Sequence, residues 1–459
     1  KDFTFIPFIF ENNIHMFQSQ YRQINENSKI YANFGFVNNY KSSLDKTKNS
    51  IFNLFVNYEL DLNFKKFTES NFYLSTEKVT NDTFWKIFDP HIEDQILKPT
   101  NYDNLKNELK ISLKNNEYTF ESGVKSFENL QKANNDKYEY ILPYYSFNKI
   151  LSDDKFGGSM NFTSNGDNIL NNTNVLKSSI TNDLEYKSKN YVTENGLKNF
   201  LEIDLKNLNS IGKNNANYKS SPQVEFMSIF NLNSSYPLLK QSEKSINYLT
   251  PKILLRLNPS DMKDHSLSDK TINVDNIFSK NRLGIGDSFE AGRSLTLGID
   301  YKREDINDIN NFFSIKLASV LRDKEENFIP KKTTLNKKSS NFYGSISNNF
   351  SEFFNLNYKF SINNNLDSID YNDFSAEFNY NNFNTTVNFV EERAEMGSTN
   401  FLENSASIQL NQNNFLTFKT RRNRKLNLTE YYDFVYEYQN DCLTAGIKYK
   451  KNYYEDRDL

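Results

Sequence analysis

Hydrophobic and polar residues alternate strictly along many short stretches of this chain, as in β-strands that have one apolar face. Residues 354–362 read FNLNYKFSI, with Phe, Leu, Tyr or Ile at every second position, and SLTLGIDY at 294–301 follows the same rule. Clusters of Asn, Asp, Ser and Lys separate such stretches and predict turns. A helical period is limited to a weak candidate at 101–109. The alternation recurs at 30–36, 109–113, 374–380, 383–389 and 406–410.

Two architectures produce such strands over this length. In a soluble β-sandwich the apolar faces of two sheets form a dry core. In a transmembrane barrel the apolar faces contact lipid and the polar faces line a wet lumen. Several sandwich domains would be needed for 459 residues, but the chain shows neither a Pro/Gly/Ser-rich linker nor a repeat of about 100 residues. We therefore predict an all-β fold for residues 1–459, a large antiparallel transmembrane β-barrel of about two dozen strands. The sheet must close, because an open edge would leave backbone N–H and C=O groups unpaired in lipid.

Composition and charge agree with this prediction and exclude other classes. Hydrophobic residues make up 37% of the chain, yet 40 Phe and 28 Tyr raise the aromatic share to 15%, as interfacial aromatic girdles require. The net charge of −3 gives no argument for nucleic acid. Apolar runs such as FTFIPFIF (3–10) are strand-sized, far short of the roughly 20 residues of a membrane helix. Neither an initiator Met nor a signal sequence opens the chain, which is expected to be a mature protein or a fragment.

Four segments resemble motifs of one family. NRLGIGDSFEAGRSLTLGIDY (281–301) is similar to a segment in which Asn-Arg and a later Asp precede a Gly-containing strand. STEKVTNDTFWKIFD (75–89) resembles a short loop motif of that family, which has acidic, Thr and aromatic residues. ILPYYSF (141–147) resembles a strand start of the family, in which Leu and Pro precede aromatic residues. The hairpin at 431–450, followed by YYEDRDL (453–459), is similar to the end of a barrel. The family that these segments resemble is LptD, the outer-membrane proteins that assemble lipopolysaccharide (LPS).

The resemblance implies an LPS translocon in the outer membrane of a Gram-negative bacterium. In this family LPS arrives from a periplasmic bridge through an N-terminal β-jellyroll domain. Its acyl chains enter the membrane through a lateral seam, its sugars exit through the lumen, and the lipoprotein LptE plugs the barrel. No enzyme activity and no cofactor are implied. The jellyroll domain and the closing strands are expected to lie outside this chain, which would then be an excerpt of a longer protein.

A general porin or a nutrient-uptake barrel remains the alternative function. Such a protein would conduct ions or bind a solute without the jellyroll domain, the plug partner or a second cysteine. An autotransporter barrel or an outer-membrane lipase needs a passenger or a Ser/His site, and neither is visible in the sequence.

The single cysteine, Cys442, lies in the predicted hairpin. Two alternating arms, 432–438 and 443–449, flank a polar turn at 439–441, and Cys442 has the parity of the polar face. If the missing final strand returns to the periplasm, this short turn is periplasmic and Cys442 lies at the periplasmic rim, facing inward. The family joins its barrel to the jellyroll domain by disulfides near this place. The resemblance therefore implies a disulfide to a cysteine of the absent domain in an oxidising compartment; a free cysteine is the alternative.

Two further candidate sites depend on the resemblance. Pro7 interrupts the apolar run 3–10 and resembles a family proline beside the lateral gate. Because proline removes one ladder N–H, it belongs at an edge or a weak pairing, although an ordinary proline at a strand start is the alternative. Arg282 and Asp287 lie in the motif 281–301 and are candidates for buried partners in the lumen, with no pairing predicted.

The basic run RRNRK lies at 421–425. If the turn 439–441 is periplasmic, this run lies at the opposite, extracellular end of the hairpin. Its side chains could contact LPS phosphates, but a solvated turn is the simpler interpretation. The cations concerned are Arg421, Arg422, Arg424 and Lys425.

Other chemistry-bearing residues predict no site. The histidines are isolated in the sequence, so neither a metal site nor a Ser–His dyad is supported. Gly284 and Gly286 lack the strand-loop-helix context of a phosphate-binding loop. The single tryptophan, Trp85, is expected to anchor at a membrane interface. The three histidines are His15, His91 and His265.

Overall fold

The computed structural model describes residues 1–10, 13–40, 50–85, 87–88, 98–99, 101–151, 157–351, 353–440 and 443–452. These residues form an all-β, antiparallel fold in which 25 strands are assigned to one sheet. No helix in these ranges is long and apolar enough to cross a membrane. The strands are β1 (Asp2–Ile9), β2 (His15–Ile24), β3 (Ser28–Asn38), β4 (Ser50–Asp61), β5 (Glu69–Val79), β6 (Asn104–Lys114), β7 (Tyr118–Asn129), β8 (Tyr138–Leu151), β9 (Gly158–Asn171), β10 (Val175–Ser188), β11 (Tyr191–Val192), β12 (Lys198–Lys213), β13 (Gln223–Ser235), β14 (Leu238–Gln241), β15 (Ser245–Asn258), β16 (Gly292–Asp305), β17 (Phe312–Arg322), β18 (Phe342–Ser351), β19 (Phe354–Ile362), β20 (Ile369–Tyr380), β21 (Phe383–Glu392), β22 (Asn400–Asn411), β23 (Asn414–Asn423), β24 (Leu428–Gln439) and β25 (Thr444–Asn452). Short 3-10 helices occupy Asn134–Lys137, Lys331–Thr333 and Ala394–Met396.

The strands confirm the alternation analysis. The stretch 354–362 is β19, and 294–301 lies within β16. The weak helical candidate at 101–109 is wrong, because β6 begins at Asn104 and pairs with β5 and β7. The predicted hairpin at 431–450 corresponds to β24 and β25, paired from Tyr431↔Asn452 to Gln439↔Thr444.

The strands fall into two compact units. Of the described residues, those in 1–186 and 205–226 form unit 1, and those in 187–204 and 227–452 form unit 2. Within unit 1, β1 to β9 pair consecutively as an antiparallel meander. Within unit 2, β15 pairs with β13 and β14 on one side and with β16 on the other, and β16 to β25 pair consecutively.

Neighbouring strands of unit 2 expose apolar side chains on one face and bury polar ones on the other. On β15 and β16 of unit 2, Leu255 is 49% exposed and Leu297 is 42% exposed, whereas Arg256 and Thr296 on the opposite face are buried. We call these the apolar face and the polar face. A soluble sandwich would bury its apolar face, so this distribution supports the predicted membrane barrel over the sandwich alternative.

The two ends of the strands in unit 2 differ in the length of their connections. At the short-turn end, only residues 381–382 join β20 to β21, and only 412–413 join β22 to β23. At the long-loop end, residues 259–291 follow β15 and residues 323–341 follow β17. Outer-membrane barrels have short periplasmic turns and longer extracellular loops, so this asymmetry orients the long-loop end outward.

Aromatic side chains collect on the apolar face at the short-turn end of unit 2. Phe350, Phe353 and Tyr380 are between 51% and 58% exposed. The rings of Phe353 and Tyr380 lie 6.4 Å apart, and those of Phe350 and Phe354 lie 6.0 Å apart. Exposed aromatic rings at strand ends are typical of the girdle at a membrane–water interface.

Buried apolar residues concentrate where long loops pack on the polar face. In unit 2, residues from 259–291 and 323–341 join Ala318, Val320 and Tyr343 in one cluster, which we call the loop core. Unit 1 has a second cluster around Phe84 and Trp85. The loop residues of the loop core are Met262, Ile272, Val274, Ile277, Leu283, Ile285, Ala291, Ile329 and Leu335, with Met396 from the connection between β21 and β22.

The interfacial position expected for Trp85 is wrong. Its side chain is 1% exposed and stacks on Tyr102, with 5.2 Å between ring centroids and a 10° angle between the planes. It also contacts Phe55 and Phe84. Trp85 therefore belongs to a loop-based core on the polar face rather than to an aromatic girdle.

Candidate functional site

The long-loop end of unit 2 holds a buried charged cluster on the polar face. Arg256 is near the end of β15, and Arg322 is the last residue of β17. Arg282 and Glu290 belong to the loop 259–291 between β15 and β16. None of the four side chains is more than 1% exposed. We call these four residues the arginine cluster.

Glu290 is the centre of the arginine cluster. Its Oε2 accepts hydrogen bonds from Arg282 Nε at 2.6 Å and from Arg256 Nη1 at 2.9 Å. Its Oε1 accepts from Arg282 Nη2 at 2.5 Å and from Arg322 Nη1. Arg282 is therefore bidentate, the geometry that makes an arginine–carboxylate pair strong and directional.

The remaining donors bind the loop to the strands. Arg282 donates to Thr296 Oγ1 at 2.8 Å and to Ser294 Oγ at 3.1 Å, both on β16. Arg256 Nη2 donates to the carbonyl of Ser279 at 2.7 Å. The Nε atoms of Arg256 and Arg322 are buried without a hydrogen-bond partner among the described residues.

The arginine cluster is electrostatically unbalanced. Three guanidinium groups face one carboxylate, which leaves two net positive charges in a buried site. Burial alone would raise the pKa of Glu290, but Arg282, Arg256 and Arg322 outweigh it and hold the pKa below its usual range. Glu290 is therefore ionised near neutral pH, and each arginine depends on it for charge compensation.

The motif around Arg282 builds the turn that presents it. Asn281 Nδ2 donates to the carbonyl of Ile285 at 2.9 Å, and Gly284 N donates to the carbonyl of Asn281 at 3.0 Å. Gly284 adopts φ +61°, a left-handed conformation that glycine adopts without strain. Gly284 thus shapes the turn that presents Arg282.

The two sequence-predicted polar candidates have separate partners. Arg282 pairs with Glu290, whereas Oδ1 of Asp287 lies 3.0 Å from Nε2 of His265. Both belong to the loop 259–291. No group of His, Cys, Asp and Glu suited to a metal ion occurs in the part of the chain that the structure describes. His91 lies outside the described residues.

Glu290, Arg256 and Arg322 were not predicted from the sequence. A signal was present, because Arg256 in LLRLN and Arg322 in SVLR each occupy the polar face of a strand with leucines on the other face. Glu290 carried no comparable signal. Glu290 contacts the arginines of β15 and β17 only because the loop 259–291 folds over the polar face of these strands.

Pro7 places its nitrogen on the far side of β1 from β2. Phe10 N donates to the carbonyl of Ile14 at 2.9 Å, which continues the register Ile9↔His15. Hydrogen-bonded and non-hydrogen-bonded pairs alternate along an antiparallel ladder. The pair Pro7↔Phe17 is therefore non-hydrogen-bonded, and the missing N–H of Pro7 affects the edge of β1 that faces away from β2.

Comparison with known proteins decides the family. The family described as LptD, LPS transport system D, matches residues 52–414. The chain belongs to the LptD family. Proteins of the LptD family act in LPS transport at the outer membrane, and the all-β antiparallel structure is consistent with an outer-membrane barrel.

Other comparisons add little to this assignment. No curated protein matches the chain. Among solved structures, the chain is similar to BauA, the ferric preacinetobactin receptor from Acinetobacter baumannii, with 8% identity and a TM-score of 0.31. That match covers 94% of this chain and 70% of the receptor. At this TM-score the likeness carries no argument about the function of the LptD-family chain.

The basic run of this LptD-family chain divides into two parts. Arg421 and Arg422 lie in β23, and Arg424 and Lys425 lie in the turn 424–427 before β24. Arg421 Nε pairs with Glu430 at 2.8 Å, and Arg422 Nη2 donates to Asn427 at 2.5 Å. The side chains of Arg424 and Lys425 are exposed at the hairpin tip.

Cys442 lies outside the described residues, between Asn440 and Leu443. Asn440 N donates to the carbonyl of Leu443 at 2.9 Å, and Asn440 Oδ1 accepts from Leu443 N at 2.8 Å. The disulfide expected for Cys442 therefore remains a prediction.

Proposed function

We propose that this LptD-family protein is the translocon that inserts LPS into the outer leaflet of the outer membrane. The acyl chains leave through a lateral seam beside β1, and the sugars pass along the polar faces of the strands. The family match over residues 52–414 carries the proposal. The exposed apolar faces would contact the lipid, and the polar faces would line the lumen through which the sugars pass.

The geometry of β1 supports a seam at this strand. Pro7 cannot donate a hydrogen bond across the edge that faces away from β2. Each backbone bond is hard to replace in hydrocarbon, so one missing donor weakens any pairing along that edge. Phe3 and Phe5, which are 64% and 53% exposed on the same face as Pro7, would remain in lipid as the seam opens.

Partners follow from the family rather than from this chain alone. The proposed partners are a plug lipoprotein, LptE, and a periplasmic bridge that delivers LPS through an N-terminal jellyroll domain. Cys442 would form a disulfide with that domain, because the periplasm is oxidising. Alkylation of the full-length protein without reductant, read by mass spectrometry, tests this: Cys442 should resist labelling, and free labelling would contradict the disulfide.

The hairpin tip is proposed to meet the LPS phosphates on the outside. Arg424 and Lys425 are the candidates, because Arg421 and Arg422 are already engaged by Glu430 and Asn427. Guanidinium and ammonium groups both bind phosphate, the former with bidentate geometry.

The seam is tested with Pro7→Ala in the full-length protein. Cells that depend on the variant should deliver newly made LPS to the surface more slowly, because alanine restores the missing N–H. Pro251→Ala is the matched control, since Pro251 lies within β15 and pairs with Ile299. Normal delivery by a correctly folded Pro7→Ala variant would contradict the seam at β1.

A further inference from the structure

Arg256 and Arg322 occupy matching positions in the arginine cluster. Both lie opposite Ser294 in the register of β15, β16 and β17, one on each side of this small residue. In each guanidinium group, Nη1 donates to Glu290 and Nη2 donates to a backbone carbonyl of the covering loop. The third nitrogen, Nε, is buried in both arginines and has no hydrogen-bond partner among the described residues.

Hydroxyl groups add further donors at the same place. Ser294 Oγ and Thr296 Oγ1 are buried, and each accepts a hydrogen bond from Arg282. Each hydroxyl therefore keeps its own proton to donate. The two carboxylate oxygens of Glu290 are already taken by the arginines. Hydrogen-bond donors thus outnumber the acceptors that the cluster supplies.

The unbalanced charge of the cluster has the same location as its unused donors. Arg282 forms a bidentate pair with Glu290, and the charges of these two residues cancel. Arg256 and Arg322 then contribute two positive charges, and neither side chain is more than 1% exposed. A buried charge is strongly destabilising unless it is paired. One monovalent anion at each Nε–H group would supply both the missing charge and the missing acceptor.

The burial of the cluster selects a small inorganic ion. A phosphate attached to a lipid or a sugar cannot enter a site whose charged side chains are at most 1% exposed. A multiply charged oxyanion would exceed the single charge of one guanidinium group and would be costly to dehydrate. A halide carries one charge and accepts N–H and O–H groups from any direction. Chloride is the halide that ordinary aqueous media supply.

We propose that the arginine cluster binds two chloride ions, one at the Nε–H group of Arg256 and one at that of Arg322. The other nitrogens of both arginines already hold the loop 259–291, so bound chloride would strengthen its attachment to β15 and β17. The loop lengths orient this end of the strands outward. Chloride of the external medium therefore sets how firmly the loop is held, independently of whether LPS passes through the protein.

Hydrogen–deuterium exchange of the full-length protein in detergent tests the proposal. Chloride replaces gluconate, which is too large for the buried site, at constant ionic strength so that screening stays the same. An ion that binds only the closed loop reduces opening by a factor of 1 + [L]/Kd at each site. Above the dissociation constant, each tenfold rise in chloride should slow exchange in 259–291 about a hundredfold. The loop 214–222 should not respond.

Substitutions assign the effect to the two arginines. Arg256→Met or Arg322→Met removes one Nε–H group and one charge, so the same rise in chloride should slow exchange only about tenfold. The double variant keeps the balanced pair of Arg282 and Glu290 and should not respond to chloride. Arg303→Met, the control, removes an exposed arginine from the other end of β16 and should respond like wild type. Absence of a chloride response in wild type, or a full response in the double variant, would overturn the proposal.

Crystals of the wild-type protein give a second measurement, which does not depend on the folding of any variant. Bromide has the charge of chloride and scatters X-rays anomalously. Its peaks should lie at hydrogen-bond distance from Nε of Arg256 and from Nε of Arg322. Bromide peaks confined to the exposed surface would show an adventitious ion only and would contradict the two proposed sites.

Discussion

Glu290→Gln should release the loop 259–291 from the strands beneath it. The substitution keeps the shape of the side chain but leaves three buried guanidinium groups without a counter-charge. Removal of one partner from a buried ion pair costs about 3–5 kcal/mol. Because the Glu290 side chain is only 1% exposed, solvent does not screen this effect. The free energy of local opening of the loop should fall by that amount.

Hydrogen–deuterium exchange of peptides from 259–291 measures this opening directly. A factor of ten corresponds to about 1.4 kcal/mol, so a cost of about 3–5 kcal/mol should accelerate exchange by roughly two to three and a half orders of magnitude. Glu325→Gln is the matched control, because it removes an exposed carboxylate from the neighbouring loop 323–341. The control should change the opening free energy by no more than about 0.5 kcal/mol.

The result that would refute this reasoning is also specific. If exchange in Glu290→Gln stays within about threefold of the wild type, a change of under ~1 kcal/mol, the arginine cluster does not hold the loop. The loop core alone would then account for the position of 259–291.

Three further predictions use the same exchange measurement. The pKa of Glu290 is lowered in the folded protein, so its stabilisation of the loop is complete above the unfolded pKa of about 4.3 and is lost as the pH falls further. Protection of the loop against exchange should therefore be constant from pH 7 to about 5. A decline in protection within that window would contradict the direction of the pKa shift. Arg256→Met should weaken protection less than Glu290→Gln, because it reduces the excess positive charge; an equal or larger loss would show that charge balance is not the controlling effect. Gly284→Ala should cost about 1 kcal/mol because of its positive φ, whereas Gly286→Ala, with open space around the added Cβ, should have little effect; equal effects would exclude backbone strain as the cause.

The strands were predictable because alternation is a local property. Residues 354–362 carry the whole signal for β19 within nine positions, and the observed bounds coincide with the predicted ones. The segment at 101–109 was ambiguous because its apolar residues are sparse. Pairing with β5 and β7 makes it part of β6.

The arginine cluster was not predictable because it is a non-local property. Arg256 and Arg322 can be assigned to polar faces from parity, but their distance from Glu290 depends on the fold of a loop between them. The error for Trp85 has a similar origin. An aromatic residue in a polar stretch suits either an interface or a loop core, and only the packing of Tyr102 and Phe55 distinguishes them.

The lipid-facing orientation of the apolar faces is tested most directly by spin labels along β19. Single cysteines at Asn355, Leu356, Asn357 and Tyr358, in a Cys442→Ser background, would carry the labels in the protein reconstituted in bilayers. Labels at Leu356 and Tyr358 should be accessible to dissolved oxygen and shielded from a water-soluble nickel complex, with the reverse at Asn355 and Asn357. Accessibility without this period of two, or with the opposite phase, would contradict an outer-membrane barrel whose apolar faces contact lipid.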